Sequence, residues 1–144
     1  MNNDRRRRLD FCNLSLSCID SELMELKESM LNLSNLKKDI DRLSAKVGEI
    51  EKRLDGIYDE EWEAYGSLPE NLQSTDIAFD MWNAIESMQS AQKQFSTLYN
   101  KLDELESIYL SNFMASYNPT EVIAQIDNLC EAITACKEDI EEAK

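Results

Sequence analysis

The four cysteines could take part in more kinds of chemistry than any other residue type in this chain, because a thiolate can bind a metal, attack an electrophile or form a disulfide. They form two pairs six residues apart, Cys12 with Cys18 and Cys130 with Cys136. Zinc ligands are usually about two to four residues apart, and the chain has no histidine to complete a mixed site. We therefore expect free, partly buried thiols in a reducing, cytoplasmic environment, with no metal and no cofactor.

Other catalytic chemistry finds little support in the residue types. The absence of histidine removes the commonest general base. Carboxylates are plentiful, but no two of them stand in a mixed polar and apolar context that would separate their pKa values. With three glycines, the chain also has no glycine-rich phosphate loop. We expect a protein that is not an enzyme.

The apolar residues, in contrast, recur every three or four positions, which is the a/d seam of a coiled coil. The first seam runs through Leu9, Cys12, Leu16, Ile19, Leu23, Leu26, Met30, Leu33, Leu36, Ile40, Leu43, Val47, Ile50, Leu54 and Ile57. Two successive steps of three, at Leu33 and Leu36, form a stammer, which overwinds a supercoil without ending the helix. The pattern predicts one helix over residues 5–65.

Turn signals divide the rest of the chain into two more helices. The stretch "YGSLPENLQSTD" predicts a turn at residues 66–75 and a helix over residues 76–116, with the seam Met88, Ala91, Phe95, Leu98, Leu102, Leu105 and Tyr109. In "YNPTE", Asn118 is an N-cap and Pro119 is a first helical residue. A last helix is predicted over residues 119–143, with the seam Val122, Ile126, Leu129, Ile133, Cys136 and Ile140.

These seams match in one antiparallel register, in which facing residues have numbers that sum to 145. That register pairs Ile57 with Met88 and Leu9 with Cys136, and its midpoint lies inside the predicted turn. We therefore predict an all-α protein with a single domain, residues 1–144, folded as a long antiparallel coiled-coil hairpin whose return strand is broken near Pro119. The alternative is a three-helix bundle in which the last helix folds back.

Four consecutive arginines, Arg5 to Arg8, stand near the start of a chain whose formal net charge is −14. In the predicted register they face the acidic tail "KEDIEEAK", where Glu138, Asp139, Glu141 and Glu142 are the expected partners. A basic helix start and an acidic helix end are each unfavourable alone, so each relieves the other. The alternative is contact with nucleic acid or an anionic membrane. We favour the structural interpretation and expect neither membrane binding nor direct nucleic-acid binding.

A second apolar surface faces away from the first seam. Its residues, the outward stripe, are Phe11, Leu14, Cys18, Met24 and Leu31, with Ile123 and Cys130 beside the seam of the facing helix. Exposed apolar residues at helical spacing indicate a surface that something else covers. Folding back of the last helix is one such cover and a foreign helix is another. Self-association, probed by light scattering, is the one we expect.

Aromatic residues cluster around the predicted turn, and we call this set the tip: Tyr58, Trp62, Tyr65, Phe79 and Trp82. Sealing the end of the hairpin is the usual reason for such a cluster. Recognition of a partner is the alternative, because tyrosine and tryptophan are favoured at binding hot spots. Tyr58, Trp62, Tyr65 and Trp82 are the candidate residues for that role.

Charge is divided unevenly, with a net of +1 over residues 1–53 and −15 over residues 54–144. We expect a non-catalytic coiled-coil interaction or adaptor protein that forms a homodimer. One alternative is an acidic inhibitor that mimics nucleic-acid phosphates and binds a basic or nucleic-acid-binding protein, as phage anti-defence proteins do. Another is a small acidic helical chaperone or secretion accessory.

Overall fold

The computed structural model describes residues 1–28, 33–113 and 119–144, with side chains for residues 1–28, 36–108 and 120–144. These residues form four helices and no strand, which confirms the all-α class. The helices are α1 (Asn3–Glu28), α2 (Leu33–Gly66), α3 (Asp76–Phe113) and α4 (Pro119–Ala143). A short 3-10 turn, Glu70–Leu72, lies between α2 and α3.

The helices pack as a bundle in which α1 lies on α2, α2 on α3, α3 on α4 and α4 on α1. Polar contacts show that neighbours are antiparallel, because each contact joins the early part of one helix to the late part of the next. These contacts are Arg5–Glu61 and Lys46–Glu22 between α1 and α2, Asp55–Gln92 and Lys37–Glu106 between α2 and α3, Ser90–Asp139 between α3 and α4, and Lys27–Asp127 and Lys144–Asp10 between α1 and α4. This is the up-down-up-down topology of four-helix bundles.

The long helix predicted over residues 5–65 is replaced by two helices. α1 ends at Glu28, and α2 begins at Leu33 and returns along α1. The predicted hairpin is thus folded in half, and the three-helix alternative is also wrong. The physical reason is burial: a two-helix rod gives each seam one partner, whereas a bundle surrounds each seam with three helices.

The predicted register holds for one helix pair and shifts for the other. In three hydrogen bonds between α2 and α3, the two residue numbers add up to 143–147, close to the predicted sum of 145. Between α1 and α4 the sums are 150–154. The difference is about one heptad, and a shift of one heptad superimposes an a/d seam on itself. The apolar pattern therefore fits both registers equally well.

Helix boundaries follow the turn signals closely. α2 ends at Gly66, α3 begins at Asp76, and α4 begins at Pro119; the described part of α3 runs to Phe113, and its predicted end at residue 116 lies outside the described residues. In the turn between α2 and α3, the Thr75 hydroxyl donates a hydrogen bond of 2.6 Å to the Leu72 carbonyl. The same carbonyl also accepts from the Thr75 backbone N–H at 3.2 Å, so two hydrogen bonds hold the chain together just before α3 begins.

The seams form one continuous core. All predicted seam residues with described side chains are buried, except Leu26, which packs partly buried against the core. Met30, Leu33 and Tyr109 lie outside the described side chains. Because the hairpin is folded in half, the start of α1, the end of α4 and the turn between α2 and α3 meet at one end of the bundle, which we call the termini end.

Candidate interaction surfaces

The arginine run is held mainly by α2 rather than by the C-terminal tail. Arg5 Nε lies 2.6 Å from Glu61 Oε2, and Arg8 donates a hydrogen bond of 2.9 Å to Glu60. Only Arg6 reaches the tail, where its Nε donates to the Lys144 carbonyl oxygen at 2.9 Å. The predicted partners in the tail are therefore wrong, because the fold brings the acidic end of α2 beside the start of α1.

The two acidic partners on α2 differ in their surroundings. Glu61 is fully buried, whereas Glu60 is exposed. Hydrogen bonds from Arg8 lower the pKa of the Glu60 carboxyl from its ordinary value. The arginines thus join α1 to α2 at the termini end through one buried and one exposed carboxylate.

A groove of about 510 Å³ runs between α1 and α2 on the outside of the bundle, and we call it the α1–α2 groove. It is lined by Arg7, Arg8, Phe11, Lys52, Arg53, Gly56 and Ile57. The Arg53 guanidinium lies over the Phe11 ring, 4.3 Å from its centroid, in a cation–π contact. The groove therefore combines an aromatic floor with a strongly basic rim.

The groove continues along the same two helices. A second hollow, of about 210 Å³, shares Phe11 and Arg53 with the first, and its further lining includes one carboxylate: Ser15, Cys18, Lys46, Glu49 and Ile50. From Arg7 to Cys18 the two hollows span roughly 16 Å, at about 1.5 Å per residue. That length matches about three turns of a partner helix.

The outward stripe is divided by the fold into two surfaces. Phe11, Leu14 and Cys18 share the outer face of α1 and are exposed, Phe11 by 49% and Leu14 by 65%; we call these three residues the α1 stripe. Met24 and Cys130 line a different hollow, of about 350 Å³, between α1 and α4. Ile123 is half-buried on α4, and Leu31 lies outside the described residues.

The tip lies at the termini end and is only partly sealed. Trp62 contacts Tyr58, Tyr65 and Trp82, with ring centroids 6.1–6.3 Å apart, and Tyr65 lies 5.6 Å from Trp82. Trp62 is nevertheless 46% exposed, and Phe79 is 65% exposed beside a hollow of about 440 Å³. The fold thus brings the four candidate recognition residues of the tip together and leaves Trp62 and Phe79 largely uncovered.

Sequence reasoning missed the basic residues of the groove. Lys52 and Arg53 are 45 and 42 residues from Arg7 and Phe11, and only the return of α2 along α1 makes them neighbours. The local signal was the i, i+4 spacing of Arg7 and Phe11, which places a cation and an exposed ring on one helix face. Ile77, 53% exposed near the tip, was also missed.

The cysteines are four free thiols. Burial raises the pKa of Cys12 to about 11 and that of Cys136 to about 12. Burial, together with a hydrogen bond involving Asp20, raises the pKa of Cys130 to about 12. These three thiols are therefore protonated at neutral pH and are poor nucleophiles and poor metal ligands.

In the part of the chain that the structure describes, no three cysteine or carboxylate side chains are placed to hold a metal ion. Over the same residues, every helix lacks an apolar stretch sufficient to cross a bilayer. No family model, no curated protein sequence and no solved structure matches this chain.

Proposed function

We propose that this chain is a non-catalytic coiled-coil interaction or adaptor protein that forms a homodimer through the α1 stripe. The observation that carries the proposal is the exposure of Phe11 and Leu14, 49% and 65%, after the bundle has closed around its core. A cover from within the chain, which is one alternative to self-association, leaves these two side chains exposed. An apolar surface of this kind is stabilised when a second protein surface excludes water from it.

The stripe alone is too small to hold a dimer. Completing the burial of these two half-exposed apolar side chains on both copies contributes about 4–6 kcal/mol. A micromolar dissociation constant corresponds to about 8 kcal/mol. The interface must therefore extend from the stripe onto its neighbours, and the α1–α2 groove, which contains Phe11, is the adjoining surface.

Solution mass tests the proposal directly. We expect light scattering to give twice the monomer mass of 16.6 kDa for the unaltered chain. The double variant Phe11→Asp/Leu14→Asp should be a folded monomer, because two carboxylates in the interface cannot be desolvated without a partner.

A matched control adds the same charge elsewhere. Ser96 and Asn100 are exposed on α3, away from the stripe, so Ser96→Asp/Asn100→Asp should stay dimeric. A double stripe variant that keeps the mass of the unaltered chain, with helical circular dichroism intact, would show that the stripe is not the interface.

Acidic mimicry of nucleic acid is the second candidate, and the composition of α4 favours it. α4 carries seven carboxylates and one lysine, most of them exposed. Such an edge can occupy a basic nucleic-acid-binding groove. The double stripe variant separates the two candidates, because it leaves the acidic edge of α4 unchanged while removing the apolar contact.

A further inference from the structure

The α1–α2 groove carries positive charge that the fold does not neutralise. Arg7, Lys52 and Arg53 line it, and within the described residues none of the three forms an ion pair with a carboxylate. The feature that distinguishes them from other unpaired cations of the chain is that three lie together in one groove. Most other cations are paired: Arg5, Arg8, Lys27, Lys37, Arg42, Lys46, Lys101 and Lys144.

The tip carries the opposite charge around its exposed rings. Asp59, Asp76 and Glu86 stand three or four residues from Trp62, Phe79 and Trp82 respectively, so each shares a helix face with an aromatic side chain. All three carboxylates are exposed, and the described side chains provide none of them with a cation. The tip is therefore an aromatic surface with an acidic rim, the complement of the basic groove with its aromatic floor.

We propose that the tip of one copy of this chain docks in the α1–α2 groove of a second copy, and that the second copy returns the same contact. This inference rests on the proposed self-association and names the surface that covers the α1 stripe. Both surfaces include α2 and lie toward the termini end. A two-fold axis can therefore bring each groove onto the other tip, as an isologous dimer requires.

Charge favours this orientation of the two copies. Two molecules of net charge −14 repel each other, so a dimer is stabilised only where faces of opposite sign meet. Docking of the tip places Asp59, Asp76 and Glu86 near the unpaired cations of the groove. It also adds the exposed rings of Trp62 and Phe79 to the contact, and aromatic and arginine side chains are the commonest binding hot spots. The area that the stripe lacks is thus supplied.

Reciprocal charge reversal tests the contact. The groove variant is Arg7→Glu/Lys52→Glu, and the tip variant is Asp59→Lys/Glu86→Lys; all four side chains are exposed. In each variant alone, like charges face each other, so the dissociation constant should rise by about tenfold or more. In an equimolar mixture the acidic groove meets the basic tip and the unaltered surfaces meet each other. A heterodimer should therefore form, measured by light scattering and native mass spectrometry.

Matched reversals control for net charge. Lys38→Glu/Lys93→Glu and Asp103→Lys/Glu131→Lys alter exposed side chains outside both surfaces by the same amounts, and both variants should remain dimeric.

The results of these experiments distinguish failure of the tip docking from failure of the proposed self-association. Variants that dimerise as well as the unaltered chain, or monomeric variants that form no heterodimer when mixed, overturn the docking of the tip. If Phe11→Asp/Leu14→Asp still splits the dimer in that case, the proposed self-association stands and the stripe meets a different surface. A monomeric unaltered chain overturns both proposals.

Discussion

A carboxylate with no exposed surface lies inside the termini end of this acidic protein. Glu61 is fully buried, with Arg5 Nε at 2.6 Å and the Met1 ammonium at 3.1 Å. Its position, four residues after Ile57, continues the a/d seam of α2. A charged residue at a seam position is costly to bury without a partner, so the ion pair with Arg5 is what permits the seam to continue to the end of α2.

Removal of the Glu61 carboxylate should destabilise the folded state. We expect Glu61→Ala to lower the free energy of unfolding by about 3–5 kcal/mol, because it removes the buried carboxylate that pairs with Arg5 and the Met1 ammonium and leaves Arg5 only a 3.9 Å contact with the exposed Glu60. Glu63→Ala, two residues away at an exposed position, should change it by less than about 0.5 kcal/mol. Urea denaturation followed by circular dichroism measures both, and equal losses would contradict a special role for Glu61.

At the scale of an element, α1 has apolar residues on two opposite faces. Leu9, Cys12 and Leu16 have no exposed surface, whereas Leu14 on the outer face is 65% exposed. Helical periodicity assigns both sets to faces correctly, because the side-chain direction of each residue follows from its position in the turn. Local sequence cannot say which apolar face is covered within the chain and which is left to solvent.

Two leucines in the same helix test this difference. Leu16→Ala should lower the free energy of unfolding by about 2–5 kcal/mol, since it opens a cavity in the core. Leu14→Ala should change it by less than about 0.5 kcal/mol, because the side chain touches little of its own chain and alanine favours the helix. The measurement is a denaturant titration at a protein concentration too low for the dimer to form. Similar losses from the two substitutions would mean that the outer face of α1 is also packed within the chain.

At the scale of the whole molecule, the carboxylates determine how the free energy of unfolding depends on pH. Burial, with the nearby Asp55 charge as a smaller cause, raises the pKa of Glu51 in the folded state. A raised pKa means that the folded state holds this proton more tightly than the unfolded chain, so folding gains stability as pH falls through that pKa. The lowered pKa of Glu60 acts in the opposite sense, and its contribution is lost below the ordinary value of the carboxyl.

We therefore expect stability to pass through a maximum on the acidic side. The free energy of unfolding should rise from neutral pH to roughly pH 5, as Glu51 is protonated and the net charge of −14 falls, and should decline below about pH 4 as Glu60 and other paired carboxylates are protonated.

Thermal unfolding across this range provides the measurement. Glu51→Gln should flatten the rise, while Glu49→Gln, at an exposed position on the same helix, should leave it unchanged. A stability that falls steadily from neutral pH in the unaltered chain would contradict this account.

The sequence alone determined the all-α class, the members of the core, the end of α2 and the starts of α3 and α4, although it joined α1 and α2 into one helix. Each of these depends on residues within a few turns of one another: the seam of α3, Pro119 as the first residue of α4, and the turn around Gly66 and Pro69. The predicted N-cap Asn118 lies outside the described residues. It also placed Phe11 and Leu14 on the face of α1 opposite the seam and Trp62 near Trp82, because helical spacing and one short turn determine these positions.

Only the tertiary structure decided that the predicted hairpin folds in half. An a/d seam matches any partner seam displaced by a heptad, and it does not record how many helices share it. The partners of Arg5 and Arg8, and the meeting of Phe11 with Arg53, follow from that fold-back and from contacts more than 40 residues apart. Long-range packing, rather than local periodicity, therefore created the basic groove on which the proposed interaction depends.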